Sequence, residues 1–211
     1  MAPSAQQTES RSARKRRAII EAARQVFLGN GFAGASMDDV AAVAQVSKVT
    51  VYKHFSDKQS LFIAVFTSAI QQAEEDAQGL LDNLSASTDV EKDLKKFARQ
   101  HIVVVTQPHL IQMRRMIIAE SGRFPELAST WHRAAPERAH ATLATQIKAL
   151  ADRGLLQAPD PLLAAQLLNY LILSVPVNEA MFTGRDKPFS RRHLYRYADE
   201  AVRVFLAAYR A

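Results

Sequence analysis

The stretch Ser36-Met37-Asp38-Asp39-Val40-Ala41-Ala42-Val43-Ala44-Gln45-Val46-Ser47-Lys48-Val49-Thr50-Val51-Tyr52-Lys53-His54-Phe55 decides how this chain folds. Ser36 is a good N-cap for a short helix over 37–44, with Asp38 and Asp39 at its positive end. Ser47 caps a second short helix over 48–54, and Gln45-Val46 joins the two. Val40 and Val43 are expected to face inward from the first. Val51 and Phe55, four apart, anchor the second to a core that includes Phe27.

Working outward, apolar residues recur at three- and four-residue spacings, and only seven glycines and eight prolines interrupt 211 residues. The fold class expected is all-α with about nine helices and no convincing strand. Residues 1–11 read as a disordered basic and polar arm, 12–57 as a three-helix domain, and 58–211 as a helical body. Helix 12–29 has the inner stripe Ile19, Ala22, Ala23, Val26 and Phe27. Later helices are expected at 58–83, 89–107, 109–121, 125–153, 159–183 and 189–209, with Pro108, Pro125, Pro159 and Pro188 near starts and Gly154 and Gly184 at stops.

Composition excludes several classes. Cysteine is absent, which removes disulfides, thiolate zinc sites and cysteine nucleophiles, and suits a cytoplasmic protein. No secretory leader is expected, because the first residues are polar and basic without a following apolar stretch. The apolar run Leu162–Phe182 is broken by Gln166, Asn169, Asn178 and Glu179, so it reads as a buried helix and no membrane partner is expected. Net charge is +6, and residues 1–58 hold nine Lys and Arg against five Asp and Glu, or +4. That concentration suits a polyanion-binding surface ahead of a nearly balanced body.

Two short helices of this length and spacing form a helix-turn-helix, whose second helix enters the DNA major groove. Its outward side carries Lys48, Val49, Tyr52 and Lys53, donors and apolar surface suited to base edges and thymine methyls. Thr50 and His54 lie between the faces, where they can meet phosphate oxygens. The whole pattern, from Ser36-Met37-Asp38-Asp39-Val40-Ala41 through Val46 to Phe55 with Lys58 and Leu61, resembles the TetR family over roughly residues 14–66. The resemblance implies that Lys48, Val49, Tyr52 and Lys53 approach bases or nearby backbone and that Ser36, Thr50, His54 and Lys58 position phosphates. Arg11, Arg14, Lys15, Arg16 and Arg17 could add backbone or minor-groove contacts. The family usually has glycine where this chain has Gln45, and often where it has Val49.

For the body, the resemblance implies an effector-binding domain and a homodimer formed by the last two helices. Arg114-Arg115-Met116-Ile117-Ile118-Ala119-Glu120-Ser121, followed by Arg123-Phe124-Pro125-Glu126-Leu127, looks more narrowly like the AefR-like branch. His101, Met113, Ile117, Trp131, Tyr170 and Asn178 are the candidate effector residues, each weighed against simple core packing. Leu163, Leu167, Tyr170, Leu171, Val202, Phe205 and Tyr209 could serve either a dimer interface or the internal core. An operator of two half-sites needs two heads roughly 34–36 Å apart, which a monomer cannot supply.

Other signals are weaker. Gly29-Asn30-Gly31-Phe32-Ala33-Gly34 spells a dinucleotide-binding loop but follows a helix rather than a strand, so a helix stop explains it. Glu137 and His140, with His132, have part of a metal spacing but lack further ligands. No nucleophile elbow or other catalytic constellation is present, and no cofactor is expected. The reading is therefore a sequence-specific transcriptional regulator, a repressor released from a palindromic operator by a small hydrophobic or amphipathic effector. A nonspecific architectural DNA binder and an enzyme acting on a hydrophobic small molecule are the alternatives.

Overall fold

A computed structural model describes residues 10–81, 84–184 and 188–211, side chains between 70 and 81 excepted. The described elements are α1 (Arg11–Gly34), α2 (Met37–Val43), α3 (Lys48–His54), α4 (Lys58–Leu81), α5 (Val90–Val105), α6 (Pro108–Glu120), α7 (Pro125–His132), α8 (Arg138–Asp152), α9 (Pro161–Phe182) and α10 (Arg191–Tyr209). A π-helical turn, Arg133–Glu137, joins α7 to α8 without a break, so the described residues form nine helical rods. They contain no strand, only an isolated antiparallel bridge between Leu156 and Arg210. Of the arm at 1–11, residues 1–9 lie outside the described residues, while Ser10 caps α1 and Arg11 begins it. Residues 82 and 83 of the expected helix 58–83 also lie outside them.

The chain divides into two compact units that part between Ser68 and Ala69. In the first unit, the expected stripe of Ile19, Ala22, Ala23, Val26 and Phe27 is buried. Phe27, Phe32, Phe62 and Phe66 form a continuous aromatic core: Phe62 lies 4.8 Å from Phe27, 4.7 Å from Phe32 and 4.5 Å from Phe66, centroid to centroid. Edge and tilted contacts of this kind add to the area that the rings bury. Helix α1 runs beyond the expected stop at Gly29, and its regular path breaks at Gly31, where φ is 68°. Val43 is a correction: it is 48% exposed. The buried face of α2 is Met37, Val40 and Ala41, and at 3.6 residues per turn Val43 falls about 110° round from the centre of that face, at its edge in the last turn, where it stays exposed.

The second unit is a helical bundle whose core draws on α5, α8, α9 and α10. Helices α5 and α10 are also joined by a two-bond fork, in which Arg99 donates to both Asp199 oxygens at 2.7 Å. Asp89, Asp160 and Ser190 cap α5, α9 and α10 through backbone N–H groups three residues on. The single helix expected over 125–153 is interrupted by the π-helical turn because it contains Pro136. Proline has no N–H for the ladder and its ring crowds the preceding turn, which the wider winding relieves. Helix α9 is the one described helix long and apolar enough to cross a membrane. It packs as a core helix through Ala164, Ala165, Leu168, Ile172 and Val177.

The α2–α3 turn carries a defined strain. The Val46 N–H donates to the Ala41 carbonyl at 3.1 Å and the Gln45 N–H to the Ala42 carbonyl at 3.2 Å, the two bonds of a Schellman ending. This ending places its linking residue in the left-handed region, and Gln45 has φ of 55°, alone among the described non-glycine residues. A side chain there costs about 1 kcal/mol relative to glycine. Gln45→Gly should therefore raise the thermal midpoint by roughly 2–4 °C. A clear fall in a melting experiment would show that the turn is not strained.

Candidate nucleic-acid interface and effector body

The reading surface is built by two caps and one anchor. The Ser36 hydroxyl accepts from the Asp39 N–H at 3.1 Å while the Ser36 N–H donates to the Asp39 carboxylate at 3.1 Å, a reciprocal box that starts α2. The Ser47 hydroxyl accepts from the Thr50 N–H at 3.2 Å and lies 2.8 Å from the Thr50 hydroxyl, starting α3. Val51 is fully buried at 0% exposure, and Phe55 is buried just beyond the helix. Arg16 of α1 lies 5.2 Å from the Phe55 ring centroid, tying the basic start of α1 to the end of α3.

With Val51 inward, α3 presents Val49 at 78% exposure and Tyr52 at 46%, flanked by exposed Lys48 and Lys53. Thr50 and His54 are half-buried between the faces. Lys48 is 2.8 Å from Asp38 of α2, whose hydrogen bond holds the ammonium above the ordinary lysine pKa. The pair is exposed, so exchanging Asp38 for a DNA acceptor carries little penalty.

Lys58 has a task that spacing did not reveal. Its ammonium donates to the Phe32 carbonyl at 2.8 Å and the Ala35 carbonyl at 2.9 Å, and sits 4.7 Å from the Phe32 ring centroid. It satisfies carbonyls released where α1 loses its regular path. The clustered glycines Gly29, Gly31 and Gly34 were the available signal, because a helix that breaks leaves acceptors needing a donor. Asp57, at the start of α4, accepts from the Ser60 N–H at 2.6 Å, and this bond lowers its pKa.

In the body, the structure separates the six effector candidates. Met113 and Ile117 are buried in α6, while Asn178 lies on the exposed side of α9 and donates to the Ser174 carbonyl at 2.7 Å. Trp131 is half-buried, with the Arg114 guanidinium 5.1 Å from its ring centroid. Tyr170 is exposed on one side, and its ring centroid lies 5.7 Å from that of His140. His101 Nε2 is 2.8 Å from Asn169 Oδ1, and Asn169 Nδ2 is 2.9 Å from His140 Nε2. Together they form a relay from α5 through α9 to α8.

In this relay His101 Nε2–H donates to the amide oxygen and the amide N–H donates to unprotonated His140 Nε2. Desolvation is the largest cause lowering the pKa of both imidazoles; the Asn169 bond opposes it at His101, and His132 reinforces it at His140 while Glu137 opposes it. No group of three or more potential metal ligands occurs among the described residues. Asn169 and His140 were not recognised as partners from sequence, although an asparagine inside an apolar run is the kind of residue whose burial demands a partner.

The fold and this surface define a class: an all-helical regulator with an exposed recognition helix and a separate helical body. Residues 92–211 match the family described as AefR-like transcriptional repressor, C-terminal domain, and residues 19–65 match bacterial regulatory proteins, tetR family. The chain belongs to the TetR family of transcriptional regulators and is not an enzyme. A crystal structure of a TetR-family regulator from Mesorhizobium loti MAFF303099 is similar at TM-score 0.91 and 41% identity, covering 96% of this chain and 100% of that one. The flavonoid-responsive regulator FrrA is similar at TM-score 0.72 and 28% identity, covering 93% of this chain and 97% of that one. The transcriptional activator FasR of Mycolicibacterium smegmatis is 33% identical over 81 residues, which span 38% of this chain and 36% of that protein.

Burial of two neutral imidazoles sets a pH dependence. Their folded pKa values lie below the unfolded value near 6.5, so the unfolded chain binds more protons in acid. Their contribution is fully present above that value and is lost as pH falls through it toward the folded pKa values. Asp57 titrates below this window. The thermal midpoint should fall between pH 7.5 and 5.5, and fall less steeply in His101→Gln. Superimposable pH profiles would remove His101 as a source.

Proposed function

We propose that the protein is a dimeric, ligand-responsive repressor that binds an operator of inverted half-sites and is released by a small amphipathic effector. The exposure of Val49 and Tyr52 on a helix whose Val51 is wholly buried carries the DNA-reading part of this proposal. Such a face offers a thymine-methyl contact and an aromatic hydroxyl, while Lys48 and Lys53 supply donors and positive charge. Ser36, Thr50 and His54 flank it as backbone contacts. Lys58 supports it by holding the end of α1.

The body supports dimerisation through its last two helices. Leu163, Leu167, Leu171 and Val175 are exposed along α9, and Val204 is exposed on α10. On α9 the four-residue spacing forms one apolar stripe, the kind of surface that a second copy covers. Val202 and Phe205, by contrast, are buried within the chain's own core. Effector release requires unequal affinity for DNA-competent and DNA-released forms; equal binding, however tight, would leave operator occupancy unchanged. The flavonoid response of FrrA supports a small organic effector here. DNA-bound regulation also places the protein in the cytoplasm.

Selection from random duplex DNA at near-physiological salt should enrich an inverted repeat. Tyr52→Ala should retain helical content but weaken binding to that repeat by roughly 1–3 kcal/mol. Equal retention of all sequences by both proteins, falling steeply with salt, would replace this reading with nonspecific binding.

A further inference from the structure

Among the described residues of the body, Arg114 of α6 is a half-buried cation with neither an ion pair nor a hydrogen bond. Its guanidinium stacks against Trp131 of α7. Other arginines of the body are engaged differently. Arg115 donates to the carbonyls of Met181 and Ala180, Arg99 forks onto Asp199, and Arg153 donates to the carbonyls of Ser85 and Ser87. A guanidinium carries five N–H donors, and stacking on an indole satisfies none of them. Loss of water around Arg114 lowers its pKa from the ordinary arginine value, yet arginine remains charged.

Among the described residues the surroundings supply aromatic surface, and Glu137, the carboxylate that acts on His140, is engaged by His132 at 2.9 Å. Tyr170 of α9 lies within electrostatic reach of the guanidinium, and its ring also meets His140 of α8. Behind it, Asn169 joins His140 to His101 in the neutral relay. The π-helical turn brings both ends of its rod to this place. In an unbroken α-helix Trp131 and His140 would be about two and a half turns apart, on opposite faces. Wider winding over Arg133–Glu137 takes up part of that rotation: Trp131 reaches the locus through Arg114, and His140 through Tyr170. Such turns recur at functional sites.

We propose that Arg114 anchors an organic carboxylate, with Trp131 and Tyr170 receiving the effector's apolar part. Two parallel N–H···O bonds match the fork of a guanidinium to the two oxygens of a carboxylate. The neutral relay leaves Arg114 as the counter-charge. This assignment narrows the effector class to amphipathic carboxylic acids and rests on the reading of the protein as a ligand-responsive regulator.

Trp131 is the single tryptophan of the chain, so its fluorescence reports the site in the full-length protein. Decanoate and benzoate are titrated against their uncharged counterparts, decanol and benzamide. At least one carboxylate should give a saturating change, with binding roughly tenfold or more weaker for its counterpart and for Arg114→Met. Without any addition, Arg114→Met should melt at or above the wild-type temperature, because a cation without a partner has been replaced by an apolar side chain.

Equal binding of charged and uncharged probes, retained carboxylate binding by Arg114→Met, or no response to either carboxylate overturns the anion site. A marked fall in melting temperature with an unchanged carboxylate response makes Arg114 a structural residue and also overturns it. Loss of the dimer in Arg114→Met with carboxylate binding intact assigns the guanidinium to the subunit interface instead. Release of the selected operator by a neutral compound but by neither carboxylate leaves the regulator reading standing while this inference fails. If wild type selects no operator, the regulator reading fails whatever Arg114 binds.

Discussion

Val51 is the side chain on which the reading surface depends. A seven-residue helix is too short to persist alone, so α3 takes its place and rotation from tertiary packing. Burying Val51 completely, with Phe55 just beyond the helix, sets which residues remain outside. Val49 and Tyr52 are displayed because Val51 is not. The Schellman turn at Gln45 and the Ser47 cap deliver the chain to that rotation, and Lys58 secures the end of α1 within the same compact unit. Stability and recognition are coupled because a loosened Val51 would turn the outward face as well as weaken the core.

The body balances a different constraint. Helix α9 carries Asn169 inward among apolar neighbours and an apolar stripe outward. A buried amide needs partners, and His101 and His140 satisfy one side each. The amide presents one acceptor and one donor to the two rings, so both bonds cannot survive with both rings protonated. A polar relay can therefore sit inside the bundle without bringing a fixed charge. Arg114 contrasts with it by retaining a charge without a paired acceptor among the described residues.

Local chemistry made much of the fold legible. The caps Ser36 and Ser47, the stripe Ile19 to Phe27, and the pairing of Val51 with Phe55 follow from short-range geometry. Val43 was misplaced because an apolar residue near the end of a short helix satisfies a rough periodicity while facing outward. Helical periodicity carried the 125–153 rod straight through Pro136, because it registers neither the missing N–H nor a winding that continues as a π-turn. At the site, Lys48 and Tyr52 could be read as outward residues, whereas the carbonyls that hold Lys58 are 23 and 26 residues away in sequence.

The sequence by itself determined the helical class, the paired short helices, their caps and the recognition pattern, because each is encoded over a few neighbouring residues. Tertiary structure decided which apolar residues of α9 and α10 enter the core and which form an exposed stripe. It also joined His101, Asn169 and His140 and left Arg114 with an aromatic partner but no counter-charge among the described residues. These outcomes depend on the rotation and packing of helices far apart in the chain. A local periodic pattern fixes neither quantity.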